Sequence, residues 1–509
     1  MSRATISTGG IDFRTSERSG KINRDRDTPM HIAVLADFSG RKSRNQEQLD
    51  SLSGRKVIEI NRDNFDEVFS KLDVQLQLPV AEHALVFEEL DNLHPDFIYE
   101  RVELFDKLRV LQRKLKKKGS FDAAADEIHA WTSYRNEPQV DDAIPEGIEM
   151  PSNLLEAALY GHDIAEQLEK GPLGSIDSLI KDIVSPYVEA KTDPRQAEML
   201  AAVDEATSET MRAIMHHSDF QQLEASWRGL YWLLRQIESD SNVCVYIMDV
   251  SQNELRADLA KSAADSHCFQ QFVEARGSID DVPYAVILGD YQLQKTGDDA
   301  SLALQMAKLA ESAKGCWLSA GHEQLAGCSA LSRGVDSDNW GSVTDEEDLS
   351  DEDREASVKW QQMRSDSSAS HLALAAPRFL LRLPFGKKTT SVESFAYQEL
   401  ANDGSHGFYL WGNGAFLLTS LLMEGYSRKG WSALPGQFTE VENLPLHVYE
   451  EDGESMVKPC AEVLLTDRSA AVLNDAGLLV LRSTRDKDRI TVPGFQSMAH
   501  SQCVIEGLW

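Results

Sequence analysis

Two hydrophobic patterns are interleaved along this chain: short continuous apolar runs, and longer stripes at three- and four-residue steps. His31 to Ala36 (HIAVLA) is a run ended by Asp37 and by Ser39-Gly40, and it predicts a buried strand entering a turn. Val57 to Ile60 predicts a second strand. Val74, Leu76, Leu78 and Val80 alternate as a third, with Pro79 marking an edge, and Ala84 to Phe87 is a fourth. Pro95 suits the first turn of a helix along which Leu104, Leu108, Leu111 and Leu115 recur. Its C-terminal end carries Arg113, Lys114, Lys116, Lys117 and Lys118 before Gly119, a dipole complement followed by a stop signal.

A second block begins near residue 200. Leu200, Val203, Thr207, Met211 and Ile214 mark one amphipathic helix; Phe220, Leu223, Trp227, Leu230, Leu234 and Ile237 mark another. His216-His217-Ser218-Asp219 separates them, with Ser218 or Asp219 expected to cap the second, so the pair reads as a helical hairpin. From Asn242 the chain alternates strand and helix: Val243 to Met248, a helix over 252–276, Tyr284 to Leu288, a helix over 300–313, and Cys316 to Ala320. Continuous apolar strands between helices predict a largely parallel sheet covered on both faces. The last block holds a helix from Asn413 to Tyr426 and strands at Glu462 to Leu465 and Leu478 to Leu481. The fold class is therefore α/β, with a small sheet-plus-helix unit and a larger unit that carries the hairpin and a mixed sheet.

The segments between these blocks are polar. Residues 1–29 lack an apolar stripe and read as a flexible arm; residues 132–151 hold three prolines and five acidic side chains and read as a linker. Residues 344–355 (TDEEDLSDEDRE) carry eight acids and read as a solvated loop. Over 509 residues, 51 Lys and Arg face 83 Asp and Glu, a formal charge of −32, which argues against nucleic-acid binding and anionic membranes. Six scattered cysteines without CxxC spacing signal neither a disulfide framework nor a thiolate zinc site. With no secretory h-region, and no apolar run longer than Ala415 to Met423, a cytoplasmic protein is expected.

Little in the chain advertises chemistry. Asp249 and Asp290 follow predicted parallel strands, the edge where α/β sheets bind ligands, so a ligand-binding or enzymatic site there is the alternative to a structural role. Their simpler role is to end strands and cap the next helix or turn. His216-His217 lacks the i,i+4 spacing of a zinc clamp. The GKKT fragment at 386–389 lacks the GxxxxGK[ST] pattern of a phosphate loop, and Gly412-Asn413-Gly414 lacks the third glycine of a dinucleotide fingerprint. Trp227, Trp232, Trp411 and Trp431 sit in or beside apolar stretches and read as core. No catalytic residue, metal site or cofactor is assigned.

Several blocks in order carry a family resemblance. Residues 31–118 resemble the small sheath subunit (TssB) of the bacterial type VI secretion system, through IAVLADFSGR at 32–41, RKVIEINRDNFDEVFSKL at 55–72 and FEELDNLHPDFIYERV at 87–102. Residues 173–498 resemble the large subunit (TssC), through MRAIMHHSDFQQLEASWRGLYWLL at 211–234, VYIMDVSQNEL at 245–255, PYAVILGDY at 283–291, PRFLLRLPFG at 377–386, YLWGNGAF at 409–416 and LTDRSAAVLNDAGLLVL at 465–481. The chain looks like both subunits fused, with a small-subunit-like domain at 30–131, the linker at 132–151 and a large-subunit-like domain at 152–509.

The resemblance implies a structural protein without enzymatic activity, whose copies stack in helical rows around an inner-tube protein on a baseplate and contract to drive the tube out. Rows in this family interlock through terminal arms that add strands to neighbours, for which residues 1–29 are the candidate. Large subunits usually continue beyond the GFQSM stretch at 494–498 into an interlocking helix and strand, whereas this chain stops at Trp509. Either a partner supplies that strand, or the protein caps, nucleates or fails to polymerise. The family's AAA+ unfoldase grips a helix near the start of the large subunit, for which residues 152–169 are the candidate, with a plain surface helix as the alternative.

Overall fold

A computed structural model of the chain describes residues 28–117, 124 and 196–509, apart from 80, 82, 238–241, 276–281, 341–349, 401–405 and 452. The linker at 132–151, the helix expected at 152–169, Lys118, Gly119 and nearly all of the arm at 1–29 lie outside the described residues.

The first eight strands are β1 (Met30–Ala36), β2 (Ile58–Ile60), β3 (Val74–Leu76), β4 (Leu85–Phe87), β5 (Val243–Asp249), β6 (Tyr284–Leu293), β7 (Cys316–Gly321) and β8 (Leu372–Ala376). Eight short ones come after them: β9 (Phe379–Leu380), β10 (Trp411–Gly412), β11 (Glu440–Val441), β12 (His447–Glu451), β13 (Glu454–Lys458), β14 (Leu478–Val480), β15 (Arg482–Ser483) and β16 (Ile490–Thr491). The longer helices are α1 (Phe65–Lys71), α2 (Pro95–Arg101), α3 (Glu103–Lys116), α4 (Gln196–Met215), α5 (Ser218–Arg235), α6 (Gln252–Leu259), α7 (Gly297–Ser312), α8 (Asp351–Ser365), α9 (Gly414–Lys429) and α10 (Asp467–Asp475).

Seven strands form the central sheet in the order β14-β8-β7-β6-β1-β5-β2. All neighbours run parallel except β2, which lies antiparallel to β5 at one edge. The α/β class expected from the sequence is the class that forms. The small and large halves nevertheless meet in one sheet, because β1 is inserted between β5 and β6. Its register with β5 runs unbroken from Met30 opposite Val243 to Ala36 opposite Asp249.

The composition of β1 explains this placement. Ile32, Val34 and Ala36 belong to the core on one face of the sheet, and Ala33 and Leu35 to the core on the other. A strand apolar on both faces needs neighbours on both edges and a layer over each face. The three-residue β2 cannot supply that. β5 and β6 do, while α5 and α9 cover one face and α6 and α7 the other.

Local departures from the sequence pattern each have a cause. The helix expected from Pro95 is two helices, because Val102 leaves helical dihedrals (φ −81°, ψ 122°) to bury its side chain between α2 and α3. The third strand ends at Leu76 and, among the described residues, pairs only with β4. The helix expected over 252–276 stops at Leu259, and the Asp258 carboxylate collects Ser266 Oγ, the His267 N–H and the Cys268 N–H at 2.8–3.0 Å before helical turns resume at His267. Asp351 to Glu355 open α8 and are not loop: Ser350 Oγ accepts the Asp353 N–H at 3.1 Å, and acids in the first turn favour the helix dipole. Glu462 to Leu465 do not form a strand. The pairing there is a single bridge between Phe379 and Ala461, and the Glu462 carboxylate is taken by the Arg378 side chain and N–H.

His217, and neither Ser218 nor Asp219, caps α5: its Nδ1 accepts the Asp219 N–H at 3.3 Å. His94 and His322 accept the Asp96 and Gln324 N–H groups in the same way. Three helical segments thus begin on an imidazole nitrogen that does the work of an Asn or Asp oxygen.

Candidate functional site

The turn after β1 builds a dense polar site at the end of the sheet. Gly40 has a positive φ of 71°, and a Cβ there would press into the Gln75 carbonyl, so only glycine makes this turn. The turn aims Arg41 at two carboxylates of the second half. Its guanidinium contacts Asp249, and its Nη2 lies 2.9 Å from Glu254. Arg55 reaches the same pair at 3.6 Å and 2.8 Å. Ser39 donates its N–H and hydroxyl to Asp249 at 3.1 and 2.8 Å, and Glu254 also accepts the Gln48 and Ser251 N–H groups. Burial pushes the Glu254 pKa up, but hydrogen bonds from Arg41, Ser251 and Gln48 outweigh it and hold the carboxyl below its usual range.

Asp290 also sits near the C-terminal end of a parallel strand, within it and not after it. It is inside β6, three residues before the strand ends, and the register of Leu35 with Gly289 sets it beside β1 on the edge opposite Asp249. Its carboxyl is buried and accepts the Ser226 hydroxyl at 2.6 Å; burial raises its pKa to about 6, against hydrogen bonds from Ser226 and Asn413. Asn413 caps α9 by accepting the Ala415 N–H at 2.9 Å and donates to the Tyr291 carbonyl at 3.1 Å. Asp249 is thus held by two arginines and Asp290 by a hydroxyl and a helix cap. Both carboxyl groups are largely buried, and no cluster of His, Cys, Asp and Glu among the described residues could hold a metal ion.

Two further buried ion clusters hold the second half together. Arg382 bridges Glu224 and Glu399 with four contacts of 2.7–3.0 Å, and Arg228 adds one to Glu224 at 2.6 Å. Burial would raise the Glu399 pKa, yet Arg382 brings it down to about 2. Arg378 and His406 share Glu462. His216 belongs to the first cluster's edge, 3.6 Å from Glu399 and stacked on Phe408. The GKKT fragment forms a turn in which the Gly386 N–H donates to the Thr390 carbonyl at 2.8 Å.

The remaining contacts between the halves are of many kinds. Trp227, buried, packs on Phe38, Phe65 and Phe69. Tyr99 stacks on Phe395 with centroids 4.5 Å apart, and His94 meets Phe385 edge-on. Asp96 accepts the Glu393 and Ser394 N–H groups. Arg62 donates to the carbonyls of Leu234 and Arg235 at the C-terminal end of α5, where a cation is favoured. Gln112 on α3 bonds Asp204 on α4 at 2.6 Å. The other tryptophans are anchors too, Trp431 donating to the Thr28 carbonyl and Trp411 stacking on His406. Sequence reasoning found Asp249 and Asp290 but missed Arg41, Arg55, Glu254, Glu224, Arg382 and Glu399. The only signal was charge inside or beside apolar segments.

Comparison with known proteins agrees with this division. Residues 197–499 match the VipB family, described as the EvpB-type tail sheath N-terminal domain, and residues 11–125 match the type VI secretion system VipA family. Over 310 residues the chain is 29% identical to the type VI secretion system sheath protein TssC1 of Pseudomonas aeruginosa, an alignment that covers 59% of this chain and 60% of that protein.

Proposed function

Because this chain belongs to the type VI secretion tail-sheath family and carries both its VipA-type and VipB-type segments, we propose that it is a structural subunit of a contractile sheath, with the two sheath halves in one polypeptide. The observation that carries this reading is β1 of the VipA-type segment lying between β5 and β6 of the VipB-type segment. A load applied to either half passes through a continuous ladder of backbone hydrogen bonds and through the buried Arg41–Glu254 and Arg55–Glu254 pairs. Such a body suits a subunit that must move as a unit.

On this reading the partners are further copies of the chain, an inner-tube protein, a baseplate and an AAA+ unfoldase, and the compartment is the bacterial cytoplasm. No helix among the described residues is long and apolar enough to cross a membrane. The segments at 30–131 and 152–509 are the small- and large-subunit units, joined at 132–151. Fusion fixes their ratio at one to one and makes their encounter intramolecular. Contacts between copies in a sheath are heterologous and do not close, so helical filaments are the expected product. An enzymatic role is not favoured, because the two aspartates that suggested one are both engaged in holding the fold.

Negative-stain electron microscopy of the purified chain, alone and with inner-tube protein, tests the proposal. Tubules or stacked rings support it. A monomer that stays monomeric with tube protein, and gains thermal stability from a metal ion or small metabolite, contradicts it.

A further inference from the structure

Lys458 closes β13 directly opposite His447. Its Nζ lies 3.3 Å from His406 Nδ1, 5.0 Å from the Tyr409 ring centroid and 5.7 Å from that of Trp411. The other nitrogen of His406, Nε2, is 3.0 Å from Glu462 Oε1, and Glu462 is also paired with Arg378. An ionised carboxylate only accepts, so Nε2 carries the hydrogen and Nδ1 turns its lone pair toward the amine. His447 faces Lys458 across the hairpin but spends its Nδ1 on the Tyr409 hydroxyl at 2.9 Å.

We propose that Lys458 is a reactive amine, a site of covalent acylation by acyl phosphates, with His406 as its base and Glu462 as the group that orients and balances His406. Burial supports this by drawing the Lys458 pKa below the usual lysine value, against the pull of Glu462, which brings the neutral amine closer to neutral pH. In the reaction the lysine nitrogen attacks the acyl carbon, and the bond from that carbon to the phosphate oxygen breaks. Inorganic phosphate leaves. The proton shed by the nitrogen passes to His406 Nδ1, and the imidazolium so formed rests against Glu462. The product is an amide without charge, so the attraction of the cation for the Tyr409 and Trp411 rings is lost. The chemistry of this site does not depend on the sheath reading, and it gives the β12–β13 hairpin a means of covalent control.

The test is incubation of the purified full-length chain with acetyl phosphate, with acetyl occupancy at each lysine tracked over time by peptide mass spectrometry. Lys71 and Lys388, whose side chains are 64% and 78% exposed, serve as internal references. Lys458 is expected to acetylate at least about tenfold faster than either, a threshold set below the roughly 10²–10⁴-fold that a positioned base supplies. His406→Asn should remove that advantage and leave the reference rates unchanged. Lys458 reacting no faster than Lys388, or reacting equally fast in the folded His406→Asn chain, overturns the proposal. If that variant does not fold, His406→Gln takes its place under the same two outcomes, and a wild-type Lys458 that reacts no faster than Lys388 still overturns the proposal.

Discussion

The indole Nε1 of Trp227 donates a hydrogen bond of 2.8 Å to the carbonyl of Phe38, a residue 189 positions earlier in the chain. This bond joins the turn after β1 to the middle of α5, and the ring that makes it lies 4.3 Å from that of Phe69. It is therefore both a polar and an apolar pin between the halves. Trp227→Phe keeps most of the packing but strands a buried carbonyl, and should cost about 1–3 kcal/mol. Trp227→Ala should cost about 3–5 kcal/mol. Urea-induced unfolding monitored by circular dichroism measures both, and equal midpoints for wild type and Trp227→Ala would show that the pin carries no load.

The carboxylates that pair with buried arginines set the acid limit of stability. Glu399 is depressed from 4.5 to about 2 and Glu254 is also depressed, so their contribution is fully present above about pH 4.5 and is lost as pH falls toward 2. Thermal midpoints should drop steeply over that interval. Glu254→Gln leaves Arg41 and Arg55 with Asp249 as their one shared carboxylate and should cost about 3–5 kcal/mol at pH 7. Its pH profile below 4.5 should be shallower than that of the wild type; a parallel profile would refute the assignment.

Asp290 works in the opposite sense. Its folded pKa, about 6 against 3.8, means that the folded state holds a proton the unfolded state has released, so its contribution is greatest below about 3.8 and declines as pH rises through 6. Asp290→Asn should stabilise the chain at pH 7.5 by up to about 3 kcal/mol, the equivalent of roughly two pKa units, and should be neutral near pH 4. Scanning calorimetry at the two pH values distinguishes this from a uniform packing effect, which would shift both alike.

Because β1 is an internal strand of the shared sheet, cutting the chain should not part the halves. Residues 1–131 and 152–509, expressed as two polypeptides in one cell, should copurify through a tag on either. Residues 152–509 alone leave β5 and β6 without the strand that separates them and should be recovered largely insoluble. Soluble, folded 152–509 that ignores added 1–131 would count against the shared sheet.

Deletion of residues 1–29 should abolish assembly into tubules while leaving the thermal midpoint of the monomer within a few degrees of wild type. Normal tubules from the truncated chain, seen by electron microscopy, would remove the arm from the assembly mechanism. Assembly should also depend on salt, because copies of net charge −32 repel one another at low ionic strength.

Legibility in the sequence was local. HIAVLA, VCVYIM, YAVIL and the run from Cys316 are strands because their continuous apolar character has no other use, and Leu104 to Leu115 and Phe220 to Leu234 are helices because their spacing allows one buried face. Which strand pairs with which was not legible. Nothing in residues 30–36 says that their neighbours lie more than 200 positions away, since parallel pairing leaves no mark at short range. α8 escaped notice because only Ala356, Trp360 and Met363 are buried along it, too few to raise a stripe above its charges. The opposite error arose at Glu462 to Leu465, where apolar residues beside a buried carboxylate imitate a strand. The ion clusters were hidden for a related reason: Arg41 and Glu254, or Arg382 and Glu224, become a site only when the fold brings them together.

The place of β1 in the sheet also governs the order of events during synthesis. The strand leaves the ribosome early, yet neither of its neighbours exists until residue 243 and then residue 284 have been made. At about 5–20 residues per second, an apolar strand waits roughly 10–40 s for the first of them. The nascent N-terminal half must pass that interval incomplete, its best hydrophobic segment sheltered by chaperones or by provisional contacts. The yield of native protein should therefore depend on how long residues 30–36 wait for residue 243 during elongation.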